Sequence, residues 1–240
     1  MSIDGHASGN RHDKATILRF RPAMRLLHWA HTAAFSLLLG SGLTLYFLPK
    51  AHTIIVGPYR LIPLLHGLLG ALSTVLLLGV VLLGWPRGIG DDIKKALAWD
   101  RKDLARLLVL PMLFPQLRER LQPQGKYASA QKVNVLLTIA FAGGLAVTGS
   151  VLLAQMLSRN ALPIDLVGHS LDWHDLLAFA AALVLAAHVY FAAIHPGTRA
   201  SLRGMITGRV SAEWAKKHYG RWAARQDKQS PKAKLPPQGG

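Results

Sequence analysis

The chain has 240 residues and no cysteine, and its 28 Lys and Arg residues outnumber 12 Asp and Glu, which gives a formal net charge of +16. Without cysteine it can form neither disulfide bonds nor thiolate-held metal clusters. Apolar residues make up 51% of the chain and charged residues 17%, and the mean hydropathy is +0.26, which excludes an ordinary soluble domain and is typical of a membrane protein.

Four apolar runs follow a polar and basic N-terminal arm at 1–25 in which no cleavable signal peptide is visible. The runs lie at 26–48, 62–83, 133–157 and 171–194, and each has about 20 residues or more, as a hydrocarbon core of roughly 30 Å requires. Continuous runs of this kind satisfy their own backbone hydrogen bonds as helices, and no alternating barrel pattern is present. The sequence therefore predicts an all-α, integral membrane four-helix bundle.

Positive charge is concentrated on one side of these runs. Of the 28 Lys and Arg residues, 25 lie in the arm, in the 84–132 loop and after residue 194, whereas 3 lie in the short loops at 49–61 and 158–170. The positive-inside rule then places both termini and the long loop in the cytoplasm. We expect a multi-pass protein of the bacterial inner membrane. No nucleic-acid recognition motif accompanies the charge, so no nucleic-acid partner is expected.

The chain is accordingly divided into four parts. After the arm comes a membrane domain at 26–195, followed by a basic cytoplasmic segment at 196–225 that is expected to touch membrane lipid. Residues 226–240, with several prolines and terminal glycines, are expected to form a disordered tail. A polar amphipathic stretch at 91–110 in the long loop predicts a surface connector, with a lid over a binding site as the alternative.

Four histidines lie at two matched depths in the predicted bundle. His174 and His188 stand fourteen residues apart on the last run, which is about 21 Å of rise and roughly 40° of rotation on a helix. Helix direction places His28 level with His188 near the cytoplasm, and His66 level with His174 near the outside. Ionisable groups at membrane depth mark proton relays or cofactor sites. This geometry suits two stacked haems, each held by two histidines and, without cysteine, by no thioether link.

Other assignments of these histidines remain open. His31 lies one turn beyond His28 and His195 seven residues beyond His188, so either is an alternative inner ligand. A membrane transporter or scaffold without haem, in which the histidines relay protons, is the alternative from a different functional class. Glycines beside the ligands allow a flat macrocycle or a neighbouring helix to approach closely: Gly40, Gly42, Gly67 and Gly70.

Several motifs carry a family resemblance over residues 19–222. They read Leu-His-Trp at 27–29, Leu-His-Gly at 65–67, Gly-Lys-Tyr-Ala-Ser-Ala-Gln-Lys at 125–132, Ser-Leu-Arg-Gly-Met-Ile-Thr-Gly-Arg-Val-Ser at 201–211 and Glu-Trp-Ala-Lys-Lys-His at 213–218. With these motifs the chain resembles the gamma subunit, a cytochrome b, of membrane-bound respiratory formate dehydrogenase. The motif at 201–218 is the most discriminating, because paired histidines on the last helix are shared more widely among cytochromes b.

The resemblance implies two haems b, the inner one held by His28 and His188 and the outer one by His66 and His174. It implies that electrons arrive from an iron–sulfur beta subunit and a catalytic alpha subunit with molybdenum or tungsten. They would leave to a quinone, menaquinone or ubiquinone, at the cytoplasmic face, where protons are taken up. Such a chain would not oxidise formate itself. The cytochrome b of a hydrogenase or of a thiosulfate-type reductase is the alternative within this class.

The segment at 125–132 resembles the quinone-site motif of the family, which together with His188 would form the quinone region. Related chains usually read Gly-Lys-Tyr-Asn-Ala-Gly-Gln-Lys, so Ala128 stands in place of asparagine and Ala130 in place of glycine. Gln131 and Lys132 are retained. Gln131 has an amide that can donate a hydrogen bond to a quinone, although a polar residue at a helix start is more often a cap or an interfacial group.

Overall fold

A computed structural model describes residues 15–82, 89–108, 124–158 and 161–229. The elements in chain order are strand β1 (Thr16–Leu18), helix α1 (Pro22–Phe47), a 3₁₀ turn (Pro49–His52), strands β2 (Ile55–Val56) and β3 (Tyr59–Arg60), helices α2 (Leu61–Leu82), α3 (Ile89–Leu97), α4 (Arg101–Leu108), α5 (Ser129–Leu157) and α6 (Ile164–Val189), a π-helical turn (Tyr190–Ile194), helix α7 (Ala200–Thr207), strand β4 (Arg209–Ser211), and helices α8 (Ala212–His218) and α9 (Gly220–Gln229).

The four expected spans are present as α1, α2, α5 and α6, each long and apolar enough to cross a membrane. The last span begins at Ile164, seven residues before the start of its apolar run. Pro163 occupies the N-cap and Asp165 lies in the first turn, where a carboxylate is favourable beside the positive end of the helix. Asp165, His169 and Ser170 lower the hydropathy of residues 164–170 without ending the helix, which is why the apolar run alone placed the start too late.

The spans pack in chain order, α1 against α2, α2 against α5, and α5 against α6. Two glycines make this close packing possible. A Cβ on Gly67 would lie 2.9 Å from Cδ1 of Leu153, and one on Gly144 would lie 2.7 Å from Cδ1 of Leu177. Gly67 therefore serves helix packing, which was one of its two expected roles.

Two short β-ribbons interrupt the otherwise helical chain, so the all-α expectation holds for the spans but not for every described segment. Strands β2 and β3 form an antiparallel hairpin in the loop between α1 and α2. Gly57 has a φ of 60° in its turn, a conformation that glycine adopts without a Cβ clash. Strands β1 and β4 pair antiparallel, with Ile17 opposite Val210, and join the two ends of the chain.

Most buried residues of the described chain lie in a unit that we name the cap (residues 15–21, 89–108, 124–132 and 200–229), which includes the first turn of α5. Its apolar core contains Val210, Ala215, Tyr219, Trp222 and Ala223, with Ile17, Ala128 and Trp214 packed against it. The N-terminal arm and the basic C-terminal segment, predicted as separate parts, thus meet in one folded unit. The spans themselves contain few buried residues.

Arg19 holds the cap together from its centre. Its side chain is buried, and the guanidinium carbon lies 3.9 Å from the centre of the Tyr219 ring and 5.3 Å from that of Trp214. One guanidinium nitrogen donates a hydrogen bond to the carbonyl of Lys126 at 3.2 Å. A cation surrounded by aromatic faces is stabilised by their quadrupoles. Arg19 thereby joins the N-terminal arm, the C-terminal segment and the loop before α5.

The two ends of the chain extend differently from their expected boundaries. Helix α9 continues to Gln229, four residues into the predicted tail at 226–240. The first part of the arm, 1–14, and the rest of the tail, 230–240, lie outside the described residues.

Candidate haem site

The structure brings together two pairs of histidines from different spans. His66 on α2 faces His174 on α6, with ring centres 6.1 Å apart. His28 on α1 faces His188 on α6, with ring centres 6.3 Å apart. These are the pairs that membrane depth predicts, at opposite ends of the bundle.

The separation within each pair fits one metal ion between two imidazoles. An imidazole nitrogen binds a metal ion at about 2 Å and lies about 1.1 Å from its ring centre, so two opposed ligands place their ring centres about 6.2 Å apart. The described residues contain no group of three or more His, Cys, Asp or Glu side chains able to hold a metal ion. Paired histidines alone suit an iron whose remaining ligands come from a porphyrin.

Hydroxyl groups orient both histidines of the outer pair. Oγ of Ser41 lies 2.8 Å from Nδ1 of His66, and Oγ1 of Thr148 lies 2.9 Å from Nδ1 of His174. Ligating histidines normally bond a neighbouring group through the nitrogen that does not hold the metal. With Nδ1 bonded to a hydroxyl, Nε2 of each ring remains for the iron. Sequence analysis missed Ser41 and Thr148. Serine and threonine in a helix commonly bond the backbone carbonyl four residues earlier, as these two also do, so the residue type alone does not indicate contact with a histidine.

Two glycines leave room for the outer rings. A Cβ on Gly42 would lie 3.3 Å from Cε1 of His66, and one on Gly149 would lie 3.2 Å from Cε1 of His174. Contacts of this length are tighter than most Cβ contacts in proteins, so each histidine ring would have to shift by a few tenths of an ångström to admit a side chain. Of the four glycines predicted beside the ligands, Gly42 thus contacts a histidine, and a Cβ on Gly70 would make only an ordinary contact with Leu38. Gly149 was missed because no histidine is near it in sequence.

The inner pair has no such hydroxyl among the described residues. Nδ1 of His28 is buried and finds no hydrogen-bond partner there, while the ring of His28 packs edge-on against Trp29 at 5.1 Å. Nδ1 of His28 therefore lacks the acceptor that the His66 and His174 rings have. The fit of a ligand between His28 and His188 rests on the 6.3 Å between their ring centres.

The two alternative inner ligands point elsewhere. The ring of His31 contacts Phe35, with centres 6.1 Å apart. His195 comes directly after the π-helical turn, and one added residue in a turn rotates the next residues by about 100° relative to an α-helix. Its ring lies against Tyr190 and Phe191, with centres 5.9 and 5.6 Å away. Among the described residues, ring contacts thus pair His188 with His28 rather than with His31, and pair His28 with His188 rather than with His195.

The segment at 125–132 leads into α5. Ala128 is the N-cap of this helix, and its N–H donates to Oε1 of Gln131 at 3.0 Å. This is one half of a capping box, because alanine has no oxygen to return the bond. The hydroxyl of Tyr219 also donates to Oε1 of Gln131, at 3.4 Å. Ala130 is exposed in the first turn.

Lys132 is held by protein groups. Its ammonium donates to the carbonyl of Ala98 and lies 2.6 Å from Oδ2 of Asp103. Asp103, which is buried on α4, also accepts a hydrogen bond from Ser129 at 2.8 Å. These contacts fix α4 against the first turn of α5. They make Lys132 part of a buried ion pair rather than a free cation facing a ligand.

Burial and charge pairing shift the titration of the cap. Burial of Asp103 opposes its ionisation, but hydrogen bonds from Lys132 and Ser129 outweigh that effect and hold the pKa of Asp103 below its usual value. Burial lowers the pKa of Lys126, against the opposing effect of its ion pair with Asp92. Burial also raises the pKa of the Tyr127 phenol. Asp103 is therefore charged, and Tyr127 neutral, at physiological pH.

Comparison with known proteins agrees with this geometry. Residues 19–208, more than three quarters of the chain, match the family described as prokaryotic cytochrome b561. The chain belongs to the prokaryotic cytochrome b561 family. Membership makes it an integral membrane cytochrome b, a haem-binding protein of electron transport. The alternative of a membrane protein without haem thereby loses its support.

Individual relatives within this family carry more specific names. The chain is 28% identical over 211 residues to the formate dehydrogenase cytochrome b556(fdo) subunit of Escherichia coli K12, covering 86% of this chain and 92% of the relative. It is 27% identical over 208 residues to the nitrate-inducible formate dehydrogenase cytochrome b556(Fdn) subunit of the same strain, covering 86% and 89%. The formate dehydrogenase cytochrome b556 subunit of Haemophilus influenzae is 27% identical over 207 residues, covering 86% and 82%. The resemblance inferred from the motifs is confirmed.

Proposed function

We propose that the chain is the dihaem cytochrome b subunit of a formate dehydrogenase complex, which carries electrons across the bacterial inner membrane to quinone. The observation that carries the proposal is the pairing of four histidines at two depths, each pair spaced for one iron. The names of the relatives support formate dehydrogenase as the complex. A cytochrome b of a hydrogenase or a thiosulfate-type reductase belongs to the same class, but these names favour it less.

In this proposal His66 and His174 hold the outer haem b, and His28 and His188 hold the inner one. Haem b supplies reversible one-electron transfer when bound. A haem held by two histidines would have no position left at which dioxygen could bind, so each pair would serve electron transfer. Because His174 and His188 are on one helix, about 21 Å apart along its axis, α6 fixes the distance between the two sites.

The direction of transfer rests on the charge distribution. The cap, which contains most of the basic loops, would be cytoplasmic under the positive-inside rule, so that His66 and His174 lie near the periplasm. An iron–sulfur beta subunit and an alpha subunit with molybdenum or tungsten would deliver electrons there. The inner pair, beside the cap, would pass them to menaquinone or ubiquinone, with protons taken up from the cytoplasm.

The quinone region would lie beside His188 and the start of α5. Among the described residues nothing accepts a hydrogen bond from the amide nitrogen of Gln131, whose oxygen is bonded to Ala128 and Tyr219. This nitrogen is therefore free to donate to a quinone carbonyl. Lys132 would act indirectly, by holding the segment through Asp103. Ala128 and Ala130 would contribute only backbone and methyl contacts.

The deciding experiment is haem quantitation on the purified full chain. A reduced-minus-oxidised spectrum and a pyridine haemochrome assay are expected to give two haems b per chain. A content of one haem per chain would show that one of the two proposed sites does not bind haem. Folded protein that contains no haem, although haem was available during expression, would refute the proposal. Copurification with a molybdenum or tungsten protein would support formate dehydrogenase, whereas copurification with a nickel–iron protein would favour a hydrogenase.

A further inference from the structure

Hydroxyl groups bond one histidine pair and not the other. Ser41 and Thr148 lie within 2.8 and 2.9 Å of Nδ1 of His66 and His174. Among the described residues, Nδ1 of His28 has no hydrogen-bond partner, and no hydroxyl reaches His188. The outer and inner pairs are otherwise alike in separation, so this difference distinguishes the two sites.

The direction of each outer hydrogen bond depends on the other partners of the hydroxyls. The Ser41 hydroxyl donates to the carbonyl of Leu37 at 2.8 Å, and the Thr148 hydroxyl donates to the carbonyl of Gly144 at 2.9 Å. A hydroxyl has one hydrogen to donate. A histidine that holds iron through Nε2 carries its proton on Nδ1. Each hydroxyl oxygen then accepts from this N–H, while its own hydrogen goes to the backbone carbonyl.

We propose that Ser41 and Thr148 are positioning residues that lower the reduction potential of the outer haem below that of the inner haem. This inference rests on the proposed function and gives a reason for electron transfer from the outer to the inner haem. An acceptor on Nδ1–H makes the imidazole a stronger donor to iron, and a stronger donor stabilises the ferric state. An electron moving from the outer to the inner site, with oxidation of the outer iron and reduction of the inner one, then goes downhill.

The size of the effect can be set by the usual influence of such outer partners. Removing one typically changes metal affinity or activity by a factor of 10 to 100. For a one-electron couple, a tenfold change in relative affinity corresponds to about 59 mV. A hydroxyl that favours binding of ferric over ferrous haem tenfold lowers the reduction potential of the outer haem by about 59 mV. This is the shift expected for each outer hydroxyl.

The test is a spectroelectrochemical titration of the full chain in detergent, comparing wild type with Ser41→Ala and Thr148→Val. The component that disappears in His66→Ala identifies the outer haem. Both hydroxyl-free variants are expected to raise the outer midpoint potential, to leave the inner one unchanged, and to shift the ferric electron paramagnetic resonance signal of the outer haem. Thr148→Ser keeps the hydroxyl and is expected to keep the wild-type potential. If Thr148→Val loses the outer haem, Ser41→Ala and Thr148→Ser still test the effect of the hydroxyls.

Matched controls are provided by hydroxyls on the same helices that bond only their own backbone. Thr44 on α1 donates to the carbonyl of Gly40, and Thr138 on α5 donates to that of Asn134. Thr44→Val and Thr138→Val are expected to leave both potentials unchanged.

Two results would overturn the inference and leave the proposed function standing. One is an unchanged outer potential in protein that retains two haems, and the other is an equal shift in both haems. Absence of haem from the wild-type chain is the different result that would refute the proposed function itself.

Discussion

The ammonium of Lys132 lies 2.6 Å from Oδ2 of Asp103, and this ion pair joins the first turn of the third span to a helix of the cap. Both side chains are almost completely enclosed, with 11% and 2% of their surfaces exposed. Asp103 also accepts hydrogen bonds from Ser129 and from the N–H of Asp100. A buried ion pair thus anchors residues 125–132, the segment that the family resemblance assigns to quinone binding, to helix α4.

Replacing Asp103 is expected to loosen the cap. Asp103→Asn leaves the Lys132 ammonium buried without a counter-charge, which typically costs about 3 to 5 kcal/mol. Thermal unfolding in detergent should show a clear loss of stability. Asp100→Asn is the matched control, because Asp100 pairs with Arg221 where 40% and 38% of the two side chains are exposed, and exposed pairs contribute about 0 to 1 kcal/mol. Equal effects of the two variants would show that the buried pair is not important for the cap.

Acid is expected to weaken the cap through the same carboxylate. The pKa of Asp103 is lowered in the folded protein, so its contribution to stability is complete above the unfolded value of about 3.9. That contribution is lost as the pH falls through the lowered folded pKa. Unfolding measured between pH 7 and pH 3 should therefore show a decline below about pH 4 that is smaller in Asp103→Asn. The same decline in both proteins would assign the acid sensitivity to other carboxylates.

Ala128→Asn is expected to stabilise the start of α5. Ala128 is the N-cap, where its N–H already bonds Gln131 but its methyl group cannot accept a bond in return. Asparagine at an N-cap is more favourable than alanine by about 1 kcal/mol. The melting temperature should rise, whereas Ala130→Asn, two residues inside the helix, should not raise it. If the melting temperature of Ala128→Asn does not rise, residue 128 has a role other than capping the helix.

The histidine pairing predicts which haem each variant loses. His66→Ala and His174→Ala should remove the outer haem, whereas His28→Ala and His188→Ala should remove the inner one and block quinone reduction. His31→Ala and His195→Ala are the controls, because the His31 ring lies against Phe35 and the His195 ring against Tyr190 rather than opposite another histidine. The measurement is haem content with resolved redox components. Retention of both haems by His188→Ala would reject this pairing and favour His195.

Gly149→Ala is expected to disturb the outer haem. Its Cβ would lie 3.2 Å from Cε1 of His174, whereas a Cβ on Gly143 of the same helix would meet nothing within 4 Å. The outer component of the redox titration should therefore shift or disappear in Gly149→Ala. Gly143→Ala should keep both haems, with helix stability raised by about 0.5 to 1 kcal/mol. Wild-type behaviour of Gly149→Ala would show that His174 has room to move.

The sequence alone determined the number of spans and the two pairs of histidines. The length and hydropathy of the apolar runs are sufficient to predict the number of spans, because lipid permits few structures other than helices. A spacing of fourteen residues between His174 and His188 and the alternating direction of the spans are sufficient for the second. The motif at 201–218 was also sufficient to indicate a cytochrome b family, since it depends on residue identity rather than on folding.

Only the tertiary structure decided which groups surround these residues. Thr148 and Gly149 approach His174 from a different helix, and their contact depends on the rotation of α5 against α6, which apolar periodicity does not specify. The cap depends on contacts between residues about 200 positions apart, as in the pairing of Ile17 with Val210. Composition predicted the N-terminal arm and the basic C-terminal segment as separate parts, whereas the structure packs Arg19 of the arm against Trp214 and Tyr219 of the C-terminal segment.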